Sequence, residues 1–354
     1  MPHDTNQREW EAYRARELAR LTPVLGEFGY ALEEHQPHTG GERHLTGSGG
    51  RKLVLLGRGP MGRAIIKASS DPAGVAELRR ERAGRDILKR LRFAYQTFFS
   101  PKELLWSERD GLAVSITEFI EQDRPFLERP LKEQFDLALR AFKAQESAHA
   151  TTSSHLRVVR SAFGEMRAED YIARAKTYAA DLGDAAPQGA IELLERSRTE
   201  VERYCGFLTH WDFMPQNFRV RDGDIYLLDH SSLRFGNKYE GWSRFVNFME
   251  LYNPPLARAL VQYVHDNRAP GESAALTAMR VYRLLELMRY YQGWLSKTSG
   301  NLRALAEARI SFWGDVLRCV LAQKDVPGER VESYKKLRDS LRSEEEKKRQ
   351  VGLH

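Results

Sequence analysis

The order of apolar and polar positions divides the chain into a strand-rich first third and a helical remainder. From about Gln7 to Leu25, the residues Trp10, Tyr13, Leu18, Leu21 and Leu25 fall on a rough apolar stripe. That spacing predicts a helix docked at the edge of a first lobe. Tyr30 to Gly50 is polar and turn-rich, ending in Thr46-Gly47-Ser48-Gly49-Gly50. Two β-type runs follow, Lys52–Leu56 and Ala64–Ala68, around a turn at Gly59-Pro60-Met61-Gly62. Asp71-Pro72 has the look of a helix start, with Asp at the cap and Pro in the first turn, and the helix runs to about Arg92. Glu103–Trp106 and Leu112–Thr117 flank Glu108-Arg109-Asp110-Gly111 as a second hairpin, completing a sheet of about five strands.

Beyond Pro130 the period turns helical. Leu131–His149 carries Phe135, Leu139 and Phe142 at helical spacing, and further helices are predicted near Tyr171–Leu182 and Ala190–Cys205. Phe218–Val220 and Ile225–Leu228 are β runs around Arg221-Asp222-Gly223-Asp224, whose central Asp-Gly marks a tight hairpin. Helices follow around Gly241–Tyr252, Pro255–Asp266, Glu272–Ser296 and Asn301–Ala322; their many aromatics suit a core better than a cofactor box. From Lys324 the chain is charged and predicts a helix fading to disorder.

Composition narrows the classes. At 354 residues, 42% hydrophobic and 29% charged, the chain fits a soluble protein of two lobes or one large domain. Its net charge of +6 is small and spread along the chain, which suits an anionic ligand but argues poorly for nucleic acid. Cys205 and Cys319 lie far apart without metal-type spacing and are expected as free thiols in a reducing compartment. No leader-like or membrane-spanning run is evident, so a cytoplasmic protein without integral membrane association is expected. His149 and His155 lack acidic or cysteine companions, so helix-end or packing roles suit them better than a metal.

The chemistry concentrates in Thr209-His210-Trp211-Asp212-Phe213-Met214-Pro215-Gln216-Asn217 and Leu227-Leu228-Asp229. Asp212, Asn217 and Asp229 are the set that phosphoryl transfer from ATP requires: one carboxylate to orient and deprotonate a hydroxyl, an amide and a second carboxylate to hold Mg²⁺. The hairpin would return Asp229 to the side of Asn217. Upstream, Lys67 in Ile65-Ile66-Lys67 has the apolar-apolar-Lys form of a phosphate-facing strand lysine, and Ser48, Gly49 and Gly50 would let backbone N–H groups approach phosphate oxygens. Glu81, on the next helix, is the expected partner of Lys67, with Glu77 in reserve.

These motifs resemble the aminoglycoside phosphotransferase and choline kinase superfamily, strongly at the catalytic loop and moderately at Lys67, over roughly Gly47 to Tyr252. Trp211 replaces the usual glycine of His-Gly-Asp, and His230-Ser231-Ser232 replaces the usual aromatic and acid after the second Asp. The resemblance implies an α+β, protein-kinase-like two-lobe fold. Residues 1–120 would form the nucleotide-binding lobe, 121–330 the helical catalytic and acceptor-binding lobe, and 331–354 a charged tail. It further implies an ATP- and Mg-dependent phosphotransferase acting on a small-molecule hydroxyl, with Asp212 as base and His210 as a buttress of the loop. Asn217 and Asp229 would be metal ligands, and Glu118 and Ile120 would lie where adenine binds. Aminoglycoside, choline-like, sugar and amino-acid acceptors all fit. The contrasting readings are an inactive kinase-like nucleotide-binding or scaffold protein, a basic nucleic-acid or membrane-surface protein, and an enzyme of the same fold acting on an envelope-lipid sugar or a protein.

Overall fold

The computed structural model describes residues 2–36, 50–90, 99–147, 163–183, 187, 189–343 and 347. Ser48, Gly49, His149 and His155 lie outside them. The first lobe is a five-stranded antiparallel sheet in the order β1-β2-β3-β5-β4, with β1 Ala31–Leu32, β2 Leu53–Gly59, β3 Gly62–Ser69, β4 Glu103–Arg109 and β5 Leu112–Glu118. β1 is two residues long and lies in the stretch that its polarity marks as turns; it pairs with Arg58 and Gly57 at the sheet edge. A helix, Pro2–Glu27, covers one face, burying Trp10, Tyr13, Leu21 and Leu25 on Leu53, Leu55, Ile66, Ala68, Val114 and Ile116. Tyr13 fastens it by donating to the Arg51 carbonyl at 2.7 Å. On the other face lies the helix Pro72–Arg90, whose first turn is capped by Asp71 Oδ1 accepting from the Ala73 and Gly74 N–H groups at 3.0 Å. Strand alternation then fixes the chemistry of β3. With Ile66 and Ala68 packed toward the first helix, Lys67 between them emerges on the face of the second.

The second lobe is helical, with its core running from Phe126 to Tyr334. Its helices are Leu131–Ser147, Ala168–Leu182, Ala190–Arg196, Arg198–Arg203, Tyr239–Tyr252, Pro254–Asn267, Pro270–Leu295, Gly300–Leu321 and Gly328–Leu341. The one helix expected over Ala190–Cys205 is two, broken at Ser197. Two small ladders flank the loop 211–217: β6 Phe207–His210 pairs with β9 Leu233–Gly236, and β7 Phe218–Arg221 with β8 Asp224–Leu227. The β7–β8 turn has Asp222 and Gly223 at φ 54° and 79°, the left-handed pair that a two-residue hairpin demands. The lobes interlock where Phe99 exchanges backbone hydrogen bonds with Ile225 and Leu227, and where Ile87 enters the larger core.

The charged C-terminal segment is helical, as its pattern predicts, and the helix is docked on the core. Residues Gly328–Leu341 form a helix that buries Val331 and Tyr334, and Tyr334 stacks on Phe312 with ring centroids 4.2 Å apart. Its charges alternate with only a few apolar residues, so local composition hides a contact made by a single face. Cys205 and Cys319 are free, as expected, and no helix among the described residues is long and apolar enough to cross a membrane.

Tyr334→Ala is expected to lower the unfolding free energy by about 2–4 kcal/mol. Leu337→Ala, at an exposed position of the same helix, should stay within about 0.5 kcal/mol. Urea titrations of both variants check this, and equal effects would contradict the docked helix.

Candidate active site

The loop 211–217, which carries the candidate site residues Asp212 and Asn217, is set from beneath. Phe213 is fully buried and stacks on Phe218 with centroids 4.9 Å apart, against Phe142 and Phe245, while Phe142 in turn stacks on Trp242. Drawing Phe213 into this cluster leaves the flanking Asp212 on the cleft side. Two backbone bonds join the loop to the Asp229 segment, Leu228 N–H to the Asn217 carbonyl and Trp211 N–H to the Ser232 carbonyl, each 2.9 Å. His210, fully buried, adds a third, its Nε2 donating to the Asp229 carbonyl at 2.6 Å. The ring acts on backbone geometry, and the carbonyl acceptor fixes the hydrogen on Nε2.

Asp212 Oδ2 accepts from Asn217 Nδ2 at 3.0 Å, and the same amide nitrogen reaches the Asp212 carbonyl at 2.7 Å. With both amide hydrogens committed, Asn217 presents Oδ1 as a hard oxygen donor. Asp229 Oδ1 takes the Ser231 N–H and hydroxyl, and Oδ2 takes the Ser232 hydroxyl at 3.1 Å, so Oδ2 keeps lone-pair capacity. Two hard oxygens separated by one backbone link suit Mg²⁺, which completes its shell with water and phosphate. Among the described residues no group of three or more His, Cys, Asp or Glu side chains forms a separate metal site.

Lys67 Nζ lies 2.5 Å from Glu81 Oε1 and 3.3 Å from the Leu228 carbonyl, which brings the ammonium next to Asp229. Glu77 is taken by Lys52 at 2.5 Å. Burial would raise the Asp229 pKa, but Lys67, His210, Lys52 and the Ser231 bond outweigh it and hold the carboxyl well below the ordinary range. Asp212 is likewise lowered, because Arg244, Arg283 and His210 overcome its burial. Arg244 donates from Nε to Asp212 Oδ1 at 2.7 Å.

Other expected residues sit apart from this centre or at its border. Gly50 lies against the first turn of the helix at Pro72, where a Cβ would come within 2.0 Å of the Gly74 nitrogen. Its lack of a side chain thus already serves packing. At the crossing between lobes, Glu118 accepts from the Lys102 N–H and Ile120 is buried, which leaves backbone groups as the crossing's available chemistry. Lys52, Arg244 and Arg283 were not singled out from sequence. For Lys52 a signal existed: Val54 stands opposite Lys67, so residue 52, two positions earlier, shares the face of Lys67. The arginines are 32 and 71 residues from Asp212 on amphipathic helices, where nothing local marks them.

No family profile and no curated protein matches the chain. Solved structures do. The GDP complex of wild-type aminoglycoside 2'-phosphotransferase-IIIa superposes with a TM-score of 0.59 at 12% identity, covering 84% of this chain and 98% of that one. Macrolide 2'-phosphotransferase type I gives 0.54 at 12%, covering 82% and 96%. A thermostable mutant of aminoglycoside phosphotransferase APH(4)-Ia, in ternary complex with AMP-PNP and hygromycin B, gives 0.52 at 15%, covering 76% and 91%. The chain therefore has the two-lobe, protein-kinase-like α+β fold of these aminoglycoside and macrolide phosphotransferases.

Because the Asp229 carboxyl is depressed in the folded state, its stabilising contribution is present above the ordinary carboxylate pKa of about 3.9 and fades as pH falls through the folded value. Asp229→Asn should thus lose stability at neutral pH, with the wild-type and variant curves approaching one another in strong acid. Denaturant titrations between about pH 2 and 7 test this, and curves that stay parallel throughout would refute it.

Proposed function

We propose that the protein is an ATP- and Mg-dependent phosphotransferase that moves the γ-phosphoryl group to a hydroxyl of a small molecule. The observation that carries this reading is the convergence of Lys67, held by Glu81, with Asp229, and of Asp229 with Asn217 and Asp212 through adjoining hydrogen bonds. The structural neighbours, one of them solved with AMP-PNP and an aminoglycoside, support the same class of chemistry.

Asp212 orients the acceptor hydroxyl and receives its proton. A carboxylate has about four lone-pair sites, and Arg244 and Asn217 occupy two, so room for a hydroxyl remains. Lys67 offsets charge on the phosphates, and Lys52 adds a second positive charge on the same face of the sheet. Asn217 Oδ1 and Asp229 Oδ2 are the groups that would hold Mg²⁺, which would supply charge neutralisation at the phosphates. Backbone atoms near Glu118 and Ile120 would meet the adenine. Positioning and charge compensation supply most of the rate in such a transfer.

One observation favours a second reading, an inactive nucleotide-binding protein: the Arg244 guanidinium already occupies Asp212 Oδ1. Activity decides between them. Asp212→Asn should lower Mg-dependent transfer or hydrolysis of γ-labelled ATP by at least about 100-fold, with the Kd for Mg-ATP nearly unchanged. Lys67→Met should instead raise the KM for ATP, and Lys52→Met should do so by a smaller factor. Nucleotide binding without any turnover sensitive to Asp212 would leave the inactive reading standing.

A further inference from the structure

Lysines and arginines reach the two carboxylates from different elements. Lys67, with Lys52 on the same face of the sheet, reaches the Leu228 carbonyl next to Asp229, whereas Arg244 donates to Asp212 itself. Arg244 comes from the helix Tyr239–Tyr252 and Arg283 from Pro270–Leu295. The Arg283 guanidinium lies over the Trp211 ring, 5.3 Å from its centroid, directly beside Asp212 in sequence.

Neither arginine is saturated by these partners. Arg244 uses Nε on Asp212 and directs an Nη2 to the Met214 sulfur at 3.5 Å, a weak acceptor. Arg283 has a side chain only 5% exposed, and its Nε has no hydrogen-bond partner among the described residues, although Nη1 is ion-paired with Glu286. A buried guanidinium N–H without an acceptor is costly, and its cost falls when a ligand oxygen arrives. Neighbouring arginines differ from Arg283: Arg280 bonds Asn247 and Glu250, Arg234 bonds Glu240, and neither has a fully buried N–H without a partner among the described residues. The acids bordering the pair are Asp212 and Glu286, each already facing an arginine. A cationic acceptor would therefore meet guanidinium groups where it needs carboxylates.

We propose that the acceptor is a hydroxylated small molecule carrying an oxyanion, phosphate or carboxylate, which Arg283 and Arg244 receive. The proposal rests on the phosphotransferase reading and deepens it. Planar guanidinium donors match either oxyanion in paired hydrogen bonds, so both sources share this chemistry.

The test measures transfer from γ-labelled Mg-ATP by the full chain to four probe sets: glucose 6-phosphate and ribose 5-phosphate; gluconate and glycerate; neutral glucose and glycerol; cationic hygromycin B and choline. One of the two anionic sets should be preferred by at least tenfold in kcat/KM, and which one identifies the oxyanion. Arg283→Gln should raise the KM for that acceptor about 10- to 100-fold with little change in kcat or in the KM for ATP, and Arg283→Lys should recover part of the loss. A preference for the neutral or cationic sets, or anionic transfer indifferent to Arg283→Gln, overturns the proposal while sparing the phosphotransferase reading. If no probe is phosphorylated, thermal shifts with AMP-PNP, Mg²⁺ and each anionic probe decide. A shift lost in Arg283→Gln supports the site, and no such shift overturns it. Failure to bind or turn over Mg-ATP at all would instead remove the reading on which the proposal stands.

Discussion

A carboxylate removed from water must have a compensating charge, and in this protein that requirement joins the sheet to the cleft. Glu81 is 4% exposed at its side chain, and Lys67 Nζ at 2.5 Å is its ion-pair partner. Lys67 in turn is held between Glu81 and the Leu228 carbonyl, so its ammonium cannot leave the cleft without stranding a buried charge. The helix bearing Glu81 must therefore stay close. It does so through Gly84, where any Cβ would stand 2.9 Å from the His230 carbonyl oxygen, and through Ile87 in the larger core. One ion pair thus ties together the strand of Lys67, the helix of Glu81 and the Asp229 segment.

The two departures from the usual motif take their meaning from that arrangement. His230 is completely buried, bonded through Nε2 to Ser100 and pressed against the helix at Gly84. Burial, with Arg85 and Lys67 nearby, pushes its pKa well below the ordinary value, so it serves as a neutral packing element between lobes rather than as a charge. Trp211 lies close to the guanidinium groups of both Arg234 and Arg283. An indole provides the π face that two stacked cations need, which the smaller glycine would not.

Much of the scaffold was legible because its signals are local. Asp222-Gly223 announces a turn with two positive φ angles, Asp71-Pro72 announces a helix start, and alternation around Ile66 sends Lys67 to the opposite face from the first helix. The choice of Glu81 over Glu77 was harder, since both lie on one helix only a turn apart; Lys52 resolves it by occupying Glu77. What sequence hid are contacts made at a distance. β1 is too short to show a period, the break at Ser197 has no Gly or Pro to mark it, and β6 pairs with β9 across the intervening β7–β8 hairpin. Arg244 and Arg283 belong to this class: each is an unremarkable position on an amphipathic helix until the bundle closes beneath Asp212.

The pairing of Arg244 with Asp212 also bears on what kind of base this carboxylate is. A guanidinium on Oδ1 lowers proton affinity, and a strong general base would be poorly served by it. Phosphoryl transfer asks for little. In a loose transition state bond-making to the acceptor is slight, so the hydroxyl keeps most of its proton until late, and holding the nucleophile in line matters more than basicity. A carboxylate fixed on one oxygen by arginine and on the other by asparagine has almost no rotational freedom, and its remaining lone pairs point in set directions. In the proposed transfer, the same contact that weakens Asp212 as a proton acceptor would strengthen it as a positioning group.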